Sequence, residues 1–281
     1  MIRAVSSYID VKSRLHAGTL ERFQRSGAQA IEIFCAKAHF DYTDRQQVRE
    51  LAAWFKVNPV ELNSLHSPLF PDDDWGKSGA APINVAATEK RHHIESMDEI
   101  KRAIEVAEVM PFRYLIQHIG VPREEFSPKK FDATMTAIEH LRAFAKPLGV
   151  TILVENIPNE LSTPEKLNDL VSIAHFNDVH FCFDIGHAHI MGTVEKDFEL
   201  MAARVRSTHI HDNDGQNDSH LWPGTGTIDW ARGMDALRTA PEAPPLLLEI
   251  DGIEGQDFTS QDFIKKISET FRSLEGTRVN A

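Results

Sequence analysis

Ile152-Leu153-Val154-Glu155-Asn156, then Thr163-Pro164-Glu165, then Phe181-Cys182-Phe183-Asp184: the stretch from 151 to 184 decides the fold. Two short apolar runs, each closed by a carboxylate, bracket a segment with helical spacing. Apolar runs of this length read as strands buried on both faces. Thr163-Pro164 supplies an N-cap followed by proline at the first helical position. A strand, a helix and a second strand over this span make a parallel crossover unit.

The same alternation runs outward in both directions. Strands are expected near 2–8, 30–35, 60–66, 114–119, 151–156, 179–184, 205–211 and 245–250. Helices are expected near 12–26, 44–56, 88–109, 131–147, 164–175, 194–204, 229–239 and 260–273. Thr43 and Asp44 are cap candidates for the second helix, and Gly27 and Gly149 punctuate the ends of the first and fourth. Eight such units close a (β/α)8 TIM barrel, expected to be one domain over 1–281. An open doubly wound sheet is disfavoured because no G-x-G-x-x-G follows the first strand.

Composition narrows the function classes. The 281 residues carry a formal net charge of −12, which opposes non-specific attraction to phosphate backbones. The basic stretches Lys90-Arg91-His92-His93 and Lys129-Lys130 are short and read as solvated helix surface. Cys35 and Cys182, the only two cysteines, lie in apolar runs and read as buried free thiols. Neither a signal peptide nor an apolar run long enough to span a membrane is found, so a cytoplasmic protein is expected.

The chemistry lies where the strands stop. His66, His118, Glu155, Asp184 and His209 each close or nearly close an apolar run, and Glu249 closes the last. His187 follows Asp184 by three residues, His211 follows His209 by two, and Asp218 and His220 lie in the next loop. One charged strand end is unremarkable, but every strand from the third to the eighth ends in His, Asp or Glu. In a barrel these ends converge on the C-terminal face. Carboxylates and imidazoles gathered there call for cations, and His with carboxylate oxygen suits Zn, Mn, Fe, Co or Ni. Gln117 and Ser207 are candidates to orient these ligands, and Glu32 and His39 to touch substrate.

Two long connections follow strands and so belong to the same face. One spans 67–87 and carries Asp72-Asp73-Asp74 and Trp75; the other spans 212–228 and carries Trp222. Such loops are commonly lids or binding loops. Pro223-Gly224-Thr225-Gly226-Thr227 reads either as an anion-binding turn or as the entry to the next helix with Thr227 as cap.

Val154-Glu155-Asn156, Phe183-Asp184-Ile185-Gly186-His187-Ala188-His189 and the segment from His209-Ile210-His211-Asp212-Asn213 to Gly226 resemble the xylose-isomerase-like TIM-barrel superfamily. It includes sugar isomerases and epimerases, hydroxypyruvate isomerase, inosose dehydratase and the endonuclease IV group. The resemblance covers nearly the whole chain. It implies one divalent ion held by Glu155, Asp184, His209 and Glu249, as in the epimerase branch. The endonuclease branch adds two ions through residues matching His66, His118, His187, Asp218 and His220.

One dication against three carboxylates leaves a slightly negative site suited to a neutral ketose or keto acid. Three dications against four carboxylates leave a positive one suited to a phosphate. The acidic 67–87 loop and the overall charge favour small-molecule chemistry. The expectation is an isomerase or epimerase of a small sugar or keto-sugar, with Glu155 and Glu249 as acid and base and His187 and His211 donating protons or orienting substrate. A three-zinc phosphodiesterase and a dehydratase are the alternatives, and a homo-oligomer is in keeping with the resemblance.

Overall fold

The computed structural model describes residues 1–251 and 260–278. Its strands are β1 (Arg3–Ser6), β2 (Ala30–Phe34), β3 (Glu61–His66), β4 (Tyr114–His118), β5 (Thr151–Glu155), β6 (His180–Asp184), β7 (Val205–His209) and β8 (Leu246–Leu248). The helices are α1 (Ala17–Arg25), α2 (Arg45–Val57), α3 (Lys90–Glu105), α4 (Pro128–Ala145), α5 (Pro164–Ile173), α6 (Ile185–Met191), α7 (Val194–Met201), α8 (Trp230–Leu237) and α9 (Gln261–Gly276). All strand pairs are parallel, in the order β7-β6-β5-β4-β3-β2-β1-β8. Beyond β7 the Ile210 amide donates to Leu247 O at 2.8 Å and the Glu249 amide to Ile210 O at 3.2 Å, which closes the circle. The (β/α)8 TIM barrel is the observed fold.

Local chemistry sets most helix starts. Asp44, Ser127, Thr163 and Ser260 each accept backbone amides at the starts of α2, α4, α5 and α9, satisfying donors that have no intrahelical partner. Ser127 with Pro128 starts α4 three residues earlier than its apolar spacing suggests. The first helix starts later than expected, because Leu15 N donates to His39 O at 2.9 Å and holds the chain before Ala17 extended. Gly149 ends the turn after α4 with φ of 75°, a conformation costly to other residues. No helix among the described residues is long and apolar enough to cross a membrane.

Strand parity divides the interior in two. One set of side chains faces the helices and forms the large apolar core. The other points into the barrel, where Ala4, Ala30 and Leu247 pack as one cluster and Ile116, Leu153 and Cys182 as another. Side chains two residues apart on a strand share a face. His118, Glu155, Asp184 and Glu249 therefore stand directly above Ile116, Leu153, Cys182 and Leu247. The apolar plug is the floor, and the strand-end polar groups form the next layer up.

Candidate metal centre and active site

All ten residues singled out from strand ends and the following loop meet at the C-terminal mouth. At the centre is His209, fully buried. Its Nδ1 lies 3.2 Å from Glu155 Oε1, 3.3 Å from Glu249 Oε2 and 3.7 Å from Asp184 Oδ2. Its Nε2 faces the other way, 3.2 Å from Glu32 Oε1, and Ser64 Oγ donates to the second Glu32 oxygen at 2.8 Å. Against burial, nearby carboxylates hold the imidazole well above its ordinary value; with an ion bound at Nδ1, the Nε2 proton would be held by Glu32. Histidine ligands are commonly oriented in this way.

Two further groups flank this one. His66 Nε2 and His118 Nε2 are 3.3 Å apart and approach Glu155 Oε2 at 3.7 and 3.3 Å. On the other side, His187 Nε2 and His220 Nε2 lie 3.1 and 3.3 Å from Asp218 Oδ2. In His66, His187 and His220 the opposite nitrogen reaches a backbone carbonyl, of Ser67, Asn156 and Glu249 respectively. A proton donated there fixes the ring orientation and turns Nε2 toward the carboxylates. His211 Nε2 lies 3.0 Å from Asp184 Oδ2, and its ring stacks on His220 with centroids 3.9 Å apart.

The donor set fits divalent ions. Glu249 Oε1 is buried without a hydrogen-bond partner, and an unpaired buried carboxylate oxygen is costly; Glu155 Oε2 meets only the imidazole nitrogens of His66 and His118. Burial works to raise the Glu155 carboxyl, but His209 and His118 outweigh it and hold it well below the usual range. Burial dominates at Glu249 and raises it. Burial likewise opposes the charged form of His187, yet Asp184 and Asp218 hold it well above the ordinary imidazole value.

Asn156 ties the two main strands together at the site. Its Nδ2 donates to Asp184 O at 2.9 Å, and its Oδ1 accepts from Asp184 N at 2.8 Å. Asp184 ends β6 and also caps α6, its Oδ1 accepting from His187 N at 2.7 Å. The sequence reading passed over α6 and gave Asn156 no role. The signal available was a capping-competent Asp at the strand end and an amide side chain directly after a ligand candidate.

Several expectations are corrected. His39 does not face the cavity: it is fully buried, with Nδ1 at 2.5 Å from Ser13 O and Nε2 at 2.9 Å from Ser7 Oγ. Gln117 orients no ligand side chain; its Nε2 donates to the His118 carbonyl, and Ser207 Oγ has no partner among the described residues. The Pro223–Thr227 turn does wrap an anion, but that anion is Asp212, which accepts from Gly224 N, Ile228 N and Trp230 Nε1. Asp229, not Thr227, caps α8. Trp222 of the 212–228 loop is buried against Phe263 and Lys266. Trp75, by contrast, stacks on Phe34, which stacks on His66.

Above the polar layer lies a cavity of about 350 Å³. Its floor includes His66, His118, Glu155, His187, His220 and Glu249, and Tyr8 stands at its side. The sequence pattern of the xylose isomerase-like TIM-barrel family matches residues 20–267.

The chain belongs to the xylose isomerase-like TIM-barrel family. Among curated relatives, it is 23% identical to an inosose isomerase of Bacillus velezensis over 270 residues, covering 91% of this chain and 90% of that one. It is 26% identical to an uncharacterized protein of Methanocaldococcus jannaschii over 245 residues, covering 83% and 78%. Among solved structures, a D-tagatose 3-epimerase-like protein superposes with a TM-score of 0.76 at 23% identity, covering 98% of both chains. The IolI protein with a bound zinc atom superposes at 0.77 and 17% identity over the full length of both. Within this family, the chain places all ten candidate residues at one barrel mouth.

Proposed function

We propose that the protein is a divalent-metal-dependent isomerase or epimerase that moves a proton next to the carbonyl of a small sugar or keto-sugar. The observation that carries this reading is the convergence of Glu155, Asp184 and Glu249 on Nδ1 of His209, with Glu249 Oε1 buried and without a hydrogen-bond partner. Zinc, manganese or a related ion suits these donors. When bound, such an ion polarises a substrate carbonyl and its neighbouring hydroxyl.

The chain's own residues then divide the work. Glu249, raised by burial, is the carboxyl of the pair that holds a proton more readily and is assigned to take it from the carbon beside the carbonyl. Glu155, or Glu249 itself, returns it; return from the opposite side gives an epimer. His187 and His211 orient substrate oxygens or supply protons to them. Expulsion of a hydroxyl after the first proton transfer would make the enzyme a C–O lyase, recognised by an unsaturated product. The sugar epimerase and inosose isomerase relatives support the isomerase reading.

A second reading, a phosphate-ester hydrolase with three ions, is favoured by one observation. The His66–His118–Glu155 and His187–Asp218–His220 groups are each compact enough for an ion of their own. Against it, no Lys or Arg lines the cavity of about 350 Å³ among the described residues.

The test is incubation of metal-loaded protein with ketoses and keto acids in deuterated water, alongside a metal count. Deuterium appearing on the carbon beside the carbonyl, with about one ion per chain, is the expected result. Absence of exchange across the panel, with phosphate-ester cleavage and about three zinc ions per chain, would move the assignment to the second reading.

A further inference from the structure

The cavity has two unlike halves. Opposite the ligand groups its wall is built from Leu69, Phe70 and Ile83 of the 67–87 loop, with Val121, Ile157 and Pro158 from the loops after β4 and β5. The 67–87 loop is pinned within itself, Ile83 N donating to Leu69 O at 2.9 Å, and to the connection after β2, where Lys37 Nζ donates to Pro71 O at 2.6 Å. It is continuous with the floor, since Phe34 stacks on His66 with centroids 4.4 Å apart. A hydroxyl pressed against such a wall loses its water without gaining a partner, which costs free energy. A methylene placed there gains by leaving water.

We infer that the substrate has a hydroxy-carbonyl head and a largely deoxygenated body that lies on this apolar wall. The class is a short-chain hydroxy-ketone or deoxy keto-sugar, rather than a ketose hydroxylated on every carbon. The inference rests on the hydroxy-carbonyl reading of the polar floor and specifies what extends beyond it. Tyr8, whose ring lies 5.0 Å from that of His220, also lines the cavity.

Two ligand series of matched length separate these possibilities by calorimetry on the zinc- or manganese-loaded protein. One runs from hydroxyacetone through 1-hydroxybutan-2-one to 1-hydroxypentan-2-one. The other runs from dihydroxyacetone through erythrulose to ribulose. Affinity is expected to rise about fourfold per added methylene in the first series and to stay flat or fall in the second. Leu69→Asn, a loop substitution of similar size, is expected to remove the gain with length in the alkyl series. If the hydroxylated series tightens as much as the alkyl series, the inference is overturned while the hydroxy-carbonyl floor stands. If no member of either series binds, the floor reading fails and takes the inference with it.

Discussion

His209 is held between charges on both sides: Glu32 Oε1 lies 3.2 Å from its Nε2, and Glu155 Oε1 lies 3.2 Å from its Nδ1. The two carboxylates are on opposite faces of one imidazole at the barrel axis, and both are fully buried. Glu32 therefore acts on whatever Nδ1 binds without touching it. Glu32→Gln keeps the size of the side chain and a possible acceptor oxygen but removes the charge. It is expected to weaken metal binding roughly 10- to 100-fold, read by chelator competition. Unchanged affinity would show that Glu32 serves only the fold.

Glu249→Gln and Glu155→Gln are each expected to lower the rate of deuterium exchange into substrate by at least about a hundredfold. The chain should retain its far-ultraviolet circular dichroism. A variant exchanging at the wild-type rate would lose its acid–base role. Counting bound metal in the same samples separates loss of the proton carrier from loss of a ligand.

Gly186 is where space, not conformation, forbids a side chain. A Cβ built there would stand 2.0 Å from His211 Cε1. Gly186→Ala must displace that ring, breaking its contact with Asp184 and its stack on His220. Overpacking of this kind costs about 1–3 kcal/mol, measured by denaturant unfolding. A larger fractional loss of activity than of stability is expected, because the displaced ring borders the site.

His39 makes acid stability readable away from the metal centre. Burial lowers its imidazole to about 4 from an ordinary 6.5. The unfolded chain therefore binds a proton between these values that the folded chain refuses. Its contribution is complete above about pH 6.5 and is lost as pH falls toward 4, by an amount on the order of 3 kcal/mol. His39→Gln is expected to flatten the fall in stability across that window in urea titrations. An unchanged slope would show that other groups carry it.

Removal of metal should lower thermal stability as well as activity, since the paired and unpaired carboxylates would lose their compensating cations. Restoring zinc or manganese is expected to raise the melting temperature in a concentration-dependent way. A melting curve indifferent to chelator and to added ion would count against any resident metal.

The strand-end ligands were legible because two simple rules meet at them. An apolar run of strand length fixes where a β-strand ends, and a parallel barrel places all such ends on one face. His66, His118, Glu155, Asp184, His209 and Glu249 could thus be assembled with no knowledge of contacts. The helix α6 was not legible: seven residues are too few for a periodic signal, and its start depends on Asp184 serving both strand and helix.

Sequence by itself determined the barrel, the layer of strand-end carboxylates and imidazoles, and the loops that overhang them, since these follow from periodicity and strand direction. Tertiary structure alone decided which nitrogen of His66, His187 and His220 meets a backbone carbonyl, that Glu32 stands beside His209, and that His39 is sealed in the core. It also decided that the glycine turn closes on Asp212 and that one half of the cavity is apolar. Those outcomes depend on strand register, including the shift between Ile31 and Glu32 where β2 meets β3, and on loops packing across long chain separations. No local pattern of residues encodes such distances.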